Sequence, residues 1–353
     1  MSQDTRKSYR RWLLLVGRWL IFALVVAGIV KTVLGAREDF AEAKLRPADL
    51  NYALLALAGG LYMVGSAPMG LFWFALLRAM GQRLRLLPTL RAFFIGHLGK
   101  YVPGKAMVVI LRAGLIAGPG VSGGVAAVSV FVETLTMMAA GAAVAAVVIA
   151  TSFPHRLDLL LLAVGLAAIA GVPTWMPVFR RIVWILKVRH AAPEVQPAMA
   201  GITYPVMGVG WLCNLIGWPL MGLSLWAVLA ALPAHLIERT NAANQPPVFL
   251  VALAAVSLAM VAGFLSLLPG GVGVREYIVL TLLAPLVGTV AALVSAVLLR
   301  ICWLAAELVV AGALYPFGSK AVPKTDPLAG PTDGGQSPAL PAESLAPRPG
   351  ADW

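Results

Sequence analysis

The chain has 353 residues, of which 60% are hydrophobic and only 12% charged, with a mean hydropathy of +0.87. A soluble domain is about 45–50% apolar and about 25% charged, so this composition leaves too little polar surface to cover a core in water. The formal charge of +12 does not point to nucleic acid, because the cations lie in short clusters between apolar stretches, as membrane topology requires. An all-α polytopic membrane protein is expected.

The N-terminus, 1–11, is basic and carries Arg6, Lys7, Arg10 and Arg11. No small-residue cleavage site follows, so Trp12–Leu34 reads as a retained first span and not as a removed signal peptide. A span takes about 20 mostly apolar residues. Stretches 52–77, 121–150, 157–175, 203–232 and 288–315 also come close to that length, making about six full spans. Two further apolar regions are interrupted: 88–117 at YVPGK (101–105) and 247–286 at PGGVG (269–273). Each arm of the first is about 12 residues, too short to cross at ~1.5 Å per residue. The second has a long arm, 247–268, and a short one, 274–286. Both read as broken-helix or re-entrant hairpins, with two pairs of full crossings as the alternative. The segment 318–353, rich in Pro, Gly, Ser and Ala, is expected to be a disordered cytoplasmic tail.

Charge sets the orientation. With the N-terminus in the cytoplasm, the same side receives Arg78, Arg83, Arg85 and Arg91, then Arg180, Arg181, Lys187 and Arg189, then Lys320 and Lys324. The opposite side receives Arg37, Lys44, Arg46, Arg156 and Arg239. Fourteen cations against five obeys the positive-inside rule. Both termini are therefore expected to be cytoplasmic, in a plasma (inner) membrane.

An internal repeat lies beneath this pattern, with units at about 88–150 and 247–315. A shift of 166 residues lays Pro103 on Pro269, Gly104 on Gly270, Val108 on Val274 and Pro119 on Pro285. Further on it lays Ala126 on Ala292 and Ser129 on Ser295. Chance matching of Ala- and Val-rich segments is the rival account; the Pro and Gly pairs in one register favour a true repeat. Three spans separate the copies, so the second is inverted, an arrangement met in transporters.

Charges inside apolar stretches cost about 2.5–3.5 kcal/mol each on insertion scales, and they mark the candidate site. Arg18 and Lys31 snorkel to the interfaces. Lys100, Tyr101 and Lys105 flank the first break; Arg275 and Glu276 follow the second. Arg112, Glu133, Arg300 and Glu307 lie on the helices around them. Pro103, Gly104, Pro269, Gly270, Gly271 and Gly273 shape the breaks, where glycine lets a backbone approach a phosphate and a half-helix N-terminus offers N–H groups. The rival reading is that the charges pair internally, Glu133 with Arg300 and Glu276 with Lys105, and only pin helices. Most of the Trp and Tyr residues read as interfacial anchors. The four histidines are scattered, and neither they nor Cys213 and Cys302 have metal-ligand spacing. No dinucleotide fingerprint, Walker loop or nucleophile elbow is present. No cofactor, metal or catalytic residue is implied.

The first break, GHLGKYVPGK (96–105), resembles the GKYxPG signature of the lysylphosphatidylglycerol synthase transmembrane region, or flippase-like domain, family. LPGGVGVREY (268–277) resembles its PGGxGxRE signature. Arg112, then Glu133 in SVFVETL, and Arg300 in VLLRICW keep the family's order. The match spans about 12–317 as one flippase-like transmembrane domain. It implies a protein that binds and moves a phospholipid or other polar-headgroup lipid between leaflets. Lys100, Tyr101, Lys105, Arg112, Glu133, Arg275, Glu276 and Arg300 would face an anionic or zwitterionic headgroup. No soluble aminoacyl-transferase domain follows the last span, so lipid synthesis is not expected. Membrane lipids are the expected partners. The alternative is a non-transporting partner of an enzyme that makes envelope lipid, glycolipid or hopanoid, and an intramembrane transferase is the weakest reading.

The orientation is directly testable. With Cys213 and Cys302 replaced, single cysteines at Ser2 and Asn241 should react differently with an impermeant thiol reagent in intact cells. Asn241 should label and Ser2 should not; equal labelling would overturn the topology.

Overall fold

The computed structural model describes residues 45–101, 106–118, 120–185, 193–237, 245–266, 271 and 273–317. The expected span at 12–34 and the tail at 318–353 lie outside them, as do Pro103, Gly104, Lys105, Pro269 and Gly270 at the two breaks. The chain divides into the units Met1–Gly318 and Ser319–Trp353, and every described residue belongs to the first.

Those residues form helices and no strand. In chain order the helices are α1 (Tyr52–Ala79), α2 (Leu86–His97), α3 (Ala106–Ile116), α4 (Gly123–Ser152), α5 (Leu157–Gly171) and α6 (Met176–Ile185). They continue as α7 (Val195–Ala198), α8 (Tyr204–Ala231), α9 (Val248–Leu265), α10 (Val274–Val287) and α11 (Thr289–Leu314). The helix starts follow sequence signals. Asn51 Oδ1 accepts from the N–H groups of Ala53 and Leu54 at 3.1 and 3.2 Å, and Ser122 Oγ accepts from Val125 N at 3.3 Å. These are N-caps that satisfy otherwise orphaned donors. Pro68 and Pro219 lie inside α1 and α8 without ending them, as membrane helices allow.

Six helices among the described residues are long and apolar enough to cross a membrane: α1, α4, α5 with its following turn, α8, α9 and α11. The protein is therefore an all-α multi-pass membrane protein. Five of the six match expected spans. The sixth, α9, is the long arm of the second interrupted region. Its 18 residues reach about 27 Å, so this arm is a span and not a re-entrant stub. The first region keeps two short arms, α2 and α3.

Packing follows burial. Helix α9 is surrounded, with 67% of its apolar window buried, whereas α5 has 17% buried and faces outward along most of its length. Helices α1 and α8 pack backbone to backbone: a Cβ on Gly217 would stand 2.5 Å from the Gly65 carbonyl oxygen. Trp218 fills the groove over Gly141 of α4 and donates from Nε1 to the Met137 carbonyl at 3.2 Å.

The repeat is visible in this frame. Helices α4 and α11 begin 166 residues apart, at Gly123 and Thr289. Buried Ser129 donates to the Ala126 carbonyl at 2.7 Å, and buried Ser295 donates to the Ala292 carbonyl at 2.8 Å. The first unit is α2–α3–α4 and the second α9–α10–α11. Each unit's first helix packs on the other unit's last: α2 on α11, and α9 on α4.

The α1–α8 contact yields a stability test. Gly217→Val should lower stability by about 1–3 kcal/mol through overpacking, read as a lower unfolding midpoint in detergent. Gly60→Ala, where an added Cβ meets nothing within 4 Å, should leave the midpoint unchanged.

Candidate functional site

The first break begins with glycines that serve packing. A Cβ on Gly96 would lie 2.4 Å from Arg112 Cγ, and one on Gly99 would lie 2.9 Å from Val108 N. Both glycines let α3 fold back against α2 and the 3₁₀ turn Leu98–Tyr101. That turn presents Lys100, whose Nζ pairs with Glu307 of α11 and donates to Tyr62 Oη of α1 at 3.1 Å. Tyr62 also donates to Glu307. The Lys100 ammonium lies 5.2 Å from the Tyr101 ring centre and 5.4 Å from that of Tyr62, distances at which an aromatic face attracts a cation.

At the second break, Gly271 and Gly273 adopt φ of +67° and +84°, a region glycine enters without steric cost. Arg275 lies back across Gly263 and Gly271: added Cβ atoms there would stand 2.6 Å from its Cγ and 2.9 Å from its Nε. Glu276 Oε2 accepts from Gly273 N at 2.7 Å, while its Oε1 pairs with Arg300 of α11. The Gly273 N–H at the start of α10 is thus capped by the helix's own carboxylate; this bond leaves the N–H groups of the first helical residues, expected to be open, untouched.

These groups converge. Lys100, Tyr101, Arg275, Arg300 and Trp303 line a cavity of about 30 Å³. A second cavity of about 30 Å³ shares Arg275, Arg300 and Trp303 and is otherwise mainly apolar, lined by Val256, Met260, Val279 and Leu299 among others. Trp303 is fixed between them: it stacks on Tyr62 at 4.1 Å and donates to Ser224 Oγ at 2.9 Å. Three cations and two carboxylates meet here. Lys100 has Glu307 and Arg300 has Glu276, but no carboxylate among the described residues lies within ion-pair distance of Arg275. The Arg275 Nε is buried without a hydrogen-bond partner. Among the described residues the site therefore carries one more cation than carboxylates.

Arg112 and Glu133 stand apart from that lining. They are 2% and 1% exposed and pair with each other at 2.6 Å. Arg112 Nη2 reaches His97 Nδ1 at 2.8 Å, so Nδ1 is the acceptor and the proton of a neutral ring sits on Nε2. Its guanidinium lies 4.1 Å from the Phe93 ring centre and 5.6 Å from that of Trp73. Of the internal pairings expected from sequence, Glu133 with Arg300 is replaced, since Glu133 holds Arg112; Glu276 holds Arg300, and its expected partner Lys105 lies outside the described residues. The breaks thus bring together Lys100, Tyr101, Arg275, Glu276 and Arg300.

Tyr62 and Trp303 line or support the site although the sequence reading left them out of it, and Glu307, named there as an intramembrane charge, was not among the expected headgroup contacts. Glu307 was recognisable as an intramembrane charge seven residues beyond Arg300, and both pair with other helices, as that spacing required. Tyr62 and Trp303 carried no distinguishing signal. Nor are the aromatics all anchors: Tyr62, Trp73, Trp218 and Trp303 are buried.

The family model described as the lysylphosphatidylglycerol synthase TM region matches residues 18–311. The chain belongs to that family. No curated protein matches it significantly. Membership in this family makes the chain a membrane protein connected with lipid, and both signature segments contribute residues to the charged cavities: Lys100 and Tyr101 from the first, Arg275 and Glu276 from the second.

The buried pair in this family member can be weighed directly. Removing Glu133 alone, as in Glu133→Leu, strands a buried guanidinium and should cost about 3–5 kcal/mol. Glu133→Leu combined with Arg112→Leu should recover much of that loss in the unfolding midpoint. Glu133 and Arg300, which do not touch, should show additive changes.

Proposed function

We propose that this protein binds the headgroup of a membrane lipid in the cavity between its two breaks and moves that lipid between leaflets. The supporting observation is Arg275, a half-buried cation without a carboxylate partner among the described residues, at a wall shared by a polar and a mainly apolar cavity. An unpaired guanidinium at membrane depth is costly, and a phosphate or other anionic group is the counter-ion that planar guanidinium geometry suits. Arg300 and Lys100 flank it, so a phosphate there meets three cations. Glu276 and Glu307 offer places for a headgroup amine, which admits zwitterionic as well as anionic lipids. The mainly apolar neighbouring cavity lies where the glycerol end of the chains would leave. In this reading the protein sits in the plasma membrane with both termini cytoplasmic, and its role is transport or binding, not catalysis.

One observation favours the scaffold alternative: Lys100 and Arg300 are already paired internally. A charged cluster that only pins helices has this form, and the protein would then support a lipid-synthesising enzyme without moving lipid.

Proteoliposomes carrying short-chain fluorescent phosphatidylglycerol, phosphatidylethanolamine or phosphatidylcholine distinguish the two. At least one lipid should cross faster than in protein-free vesicles. Arg275→Gln should slow it tenfold or more, in line with about 1.5–3 kcal/mol for a lost charged hydrogen bond. No acceleration for any lipid, or an undiminished rate in Arg275→Gln, would remove the transport reading and bring the scaffold forward.

A further inference from the structure

A second cavity system lies away from the charged breaks, and no function discussed above uses it. It measures about 290 Å³, far larger than either cavity at Arg275. It lies between the turn that ends α5 and the first two turns of α8. Its floor is Thr174 and Met207, both buried; its mouth is flanked by Trp175 and Tyr204, 58% and 69% exposed. Trp211 closes one side, and Gly208 another, where an added Cβ would meet nothing within 4 Å. The lining is aromatic and aliphatic, with the Thr174 hydroxyl already spent on the Gly171 carbonyl at 2.6 Å. Such a space near the lower end of ligand-sized pockets suits hydrocarbon and not a polar solute.

Its position says which hydrocarbon. Both walls are ends of membrane spans, so the cavity sits at the level of one interface, with tryptophan and tyrosine at its mouth. Directly after Trp175 comes α6, MPVFRRIVWI, apolar apart from the adjacent Arg180 and Arg181. Phe179 anchors this helix in a buried cluster with Phe72, Val195, Met199 and Met207, the last of which also forms the cavity floor. Arg181 is exposed. It lies about 8 Å along the axis from the start of α6, and Lys187 and Arg189 follow in sequence. A short apolar helix carrying cations, lying at an interface, attracts anionic lipid. A hydrocarbon space whose rim residue Trp175 leads directly into a cation-bearing helix complements one amphiphile with a negative head.

We infer that this cavity is a binding site for one anionic glycerophospholipid, its chain between α5 and α8 and its phosphate at the basic α6. The site is separate from the breaks and does not depend on transport through them.

Native mass spectrometry of the detergent-purified full chain, titrated with dioleoyl-phosphatidylglycerol or dioleoyl-phosphatidylcholine, tests it. All titrations are made in an Arg275→Gln background, which removes the charged cavity's proposed anion partner and leaves this site to be read by itself. That chain should retain one phosphatidylglycerol at least fivefold better than phosphatidylcholine. Adding Gly208→Phe, which fills the cavity, should lose that lipid. Adding Arg181→Glu should reduce phosphatidylglycerol to the phosphatidylcholine level; because Arg181 is exposed, this variant carries the test even if Gly208→Phe does not fold. Equal retention of the two lipids in the Arg275→Gln background would overturn the inference. So would undiminished phosphatidylglycerol with both Gly208→Phe and Arg181→Glu.

Discussion

A full charge placed at the centre of a membrane helix costs about 2.5–3.5 kcal/mol on insertion scales, and the described helices hold several. That cost organises the molecule. Arg112 is neutralised by Glu133, Lys100 by Glu307 and Arg300 by Glu276, each across two elements. Every pair therefore ties its elements together: α3 to α4, the 3₁₀ turn to α11, and α10 to α11. Breaking one partner would leave a stranded charge, which is far worse than losing an ordinary contact. The hairpin arms, too short or too interrupted to hold themselves by hydrophobic burial alone, are located by these pairs. Tyr62, Trp303 and Ser224 then extend the network by hydrogen bonds into α1 and α8.

The repeat uses the same device with its sign reversed. In the first unit the short helix supplies the cation, Arg112, and the long helix the carboxylate, Glu133. In the second, the short helix supplies the carboxylate, Glu276, and the long helix the cation, Arg300. The two pairs differ in burial as well. Arg112 and Glu133 are sealed among Phe93, Trp73 and His97, while Glu276 and Arg300 are about one-fifth exposed and border the cavities. The first unit's helix-to-helix pair is sealed in the bundle, and the second unit's borders the cavities.

The fold was legible because it rests on hydropathy and on chain breaks, which are local properties. Apolar run lengths located α1, α4, α5, α8 and α11, and the two Pro-Gly breaks separated the hairpin arms. The ion pairs were not legible, since helix rotation decides them and sequence spacing gives no rotation between elements. Glu133 and Arg300 are complementary in charge yet turn to different neighbours. At the start of α10 a local contact was missed: Glu276, three residues on, reaches back to accept from the Gly273 N–H. Tyr62 was hidden because a buried tyrosine and an interfacial one look alike in sequence; only Glu307 beside it reveals the difference.

Cavity size sets the last constraint. At about 30 Å³ the polar cavity holds a water molecule or two, and a phosphate group with its ester oxygens needs more. A headgroup must therefore displace something that lines it. The backbone pairs of the helices cannot yield, and Trp303 is held by Tyr62 on one face and Ser224 at its nitrogen. Under the proposed lipid movement the movable parts are the long side chains Lys100 and Arg300, each exchanging a carboxylate of the protein for a phosphate of the lipid. That exchange strands Glu307 or Glu276 unless a headgroup amine takes the released carboxylate, because a bare ion at membrane depth is costly. On the same proposal Arg275, which has no carboxylate partner among the described residues, is the incoming anion's first partner before either pair opens.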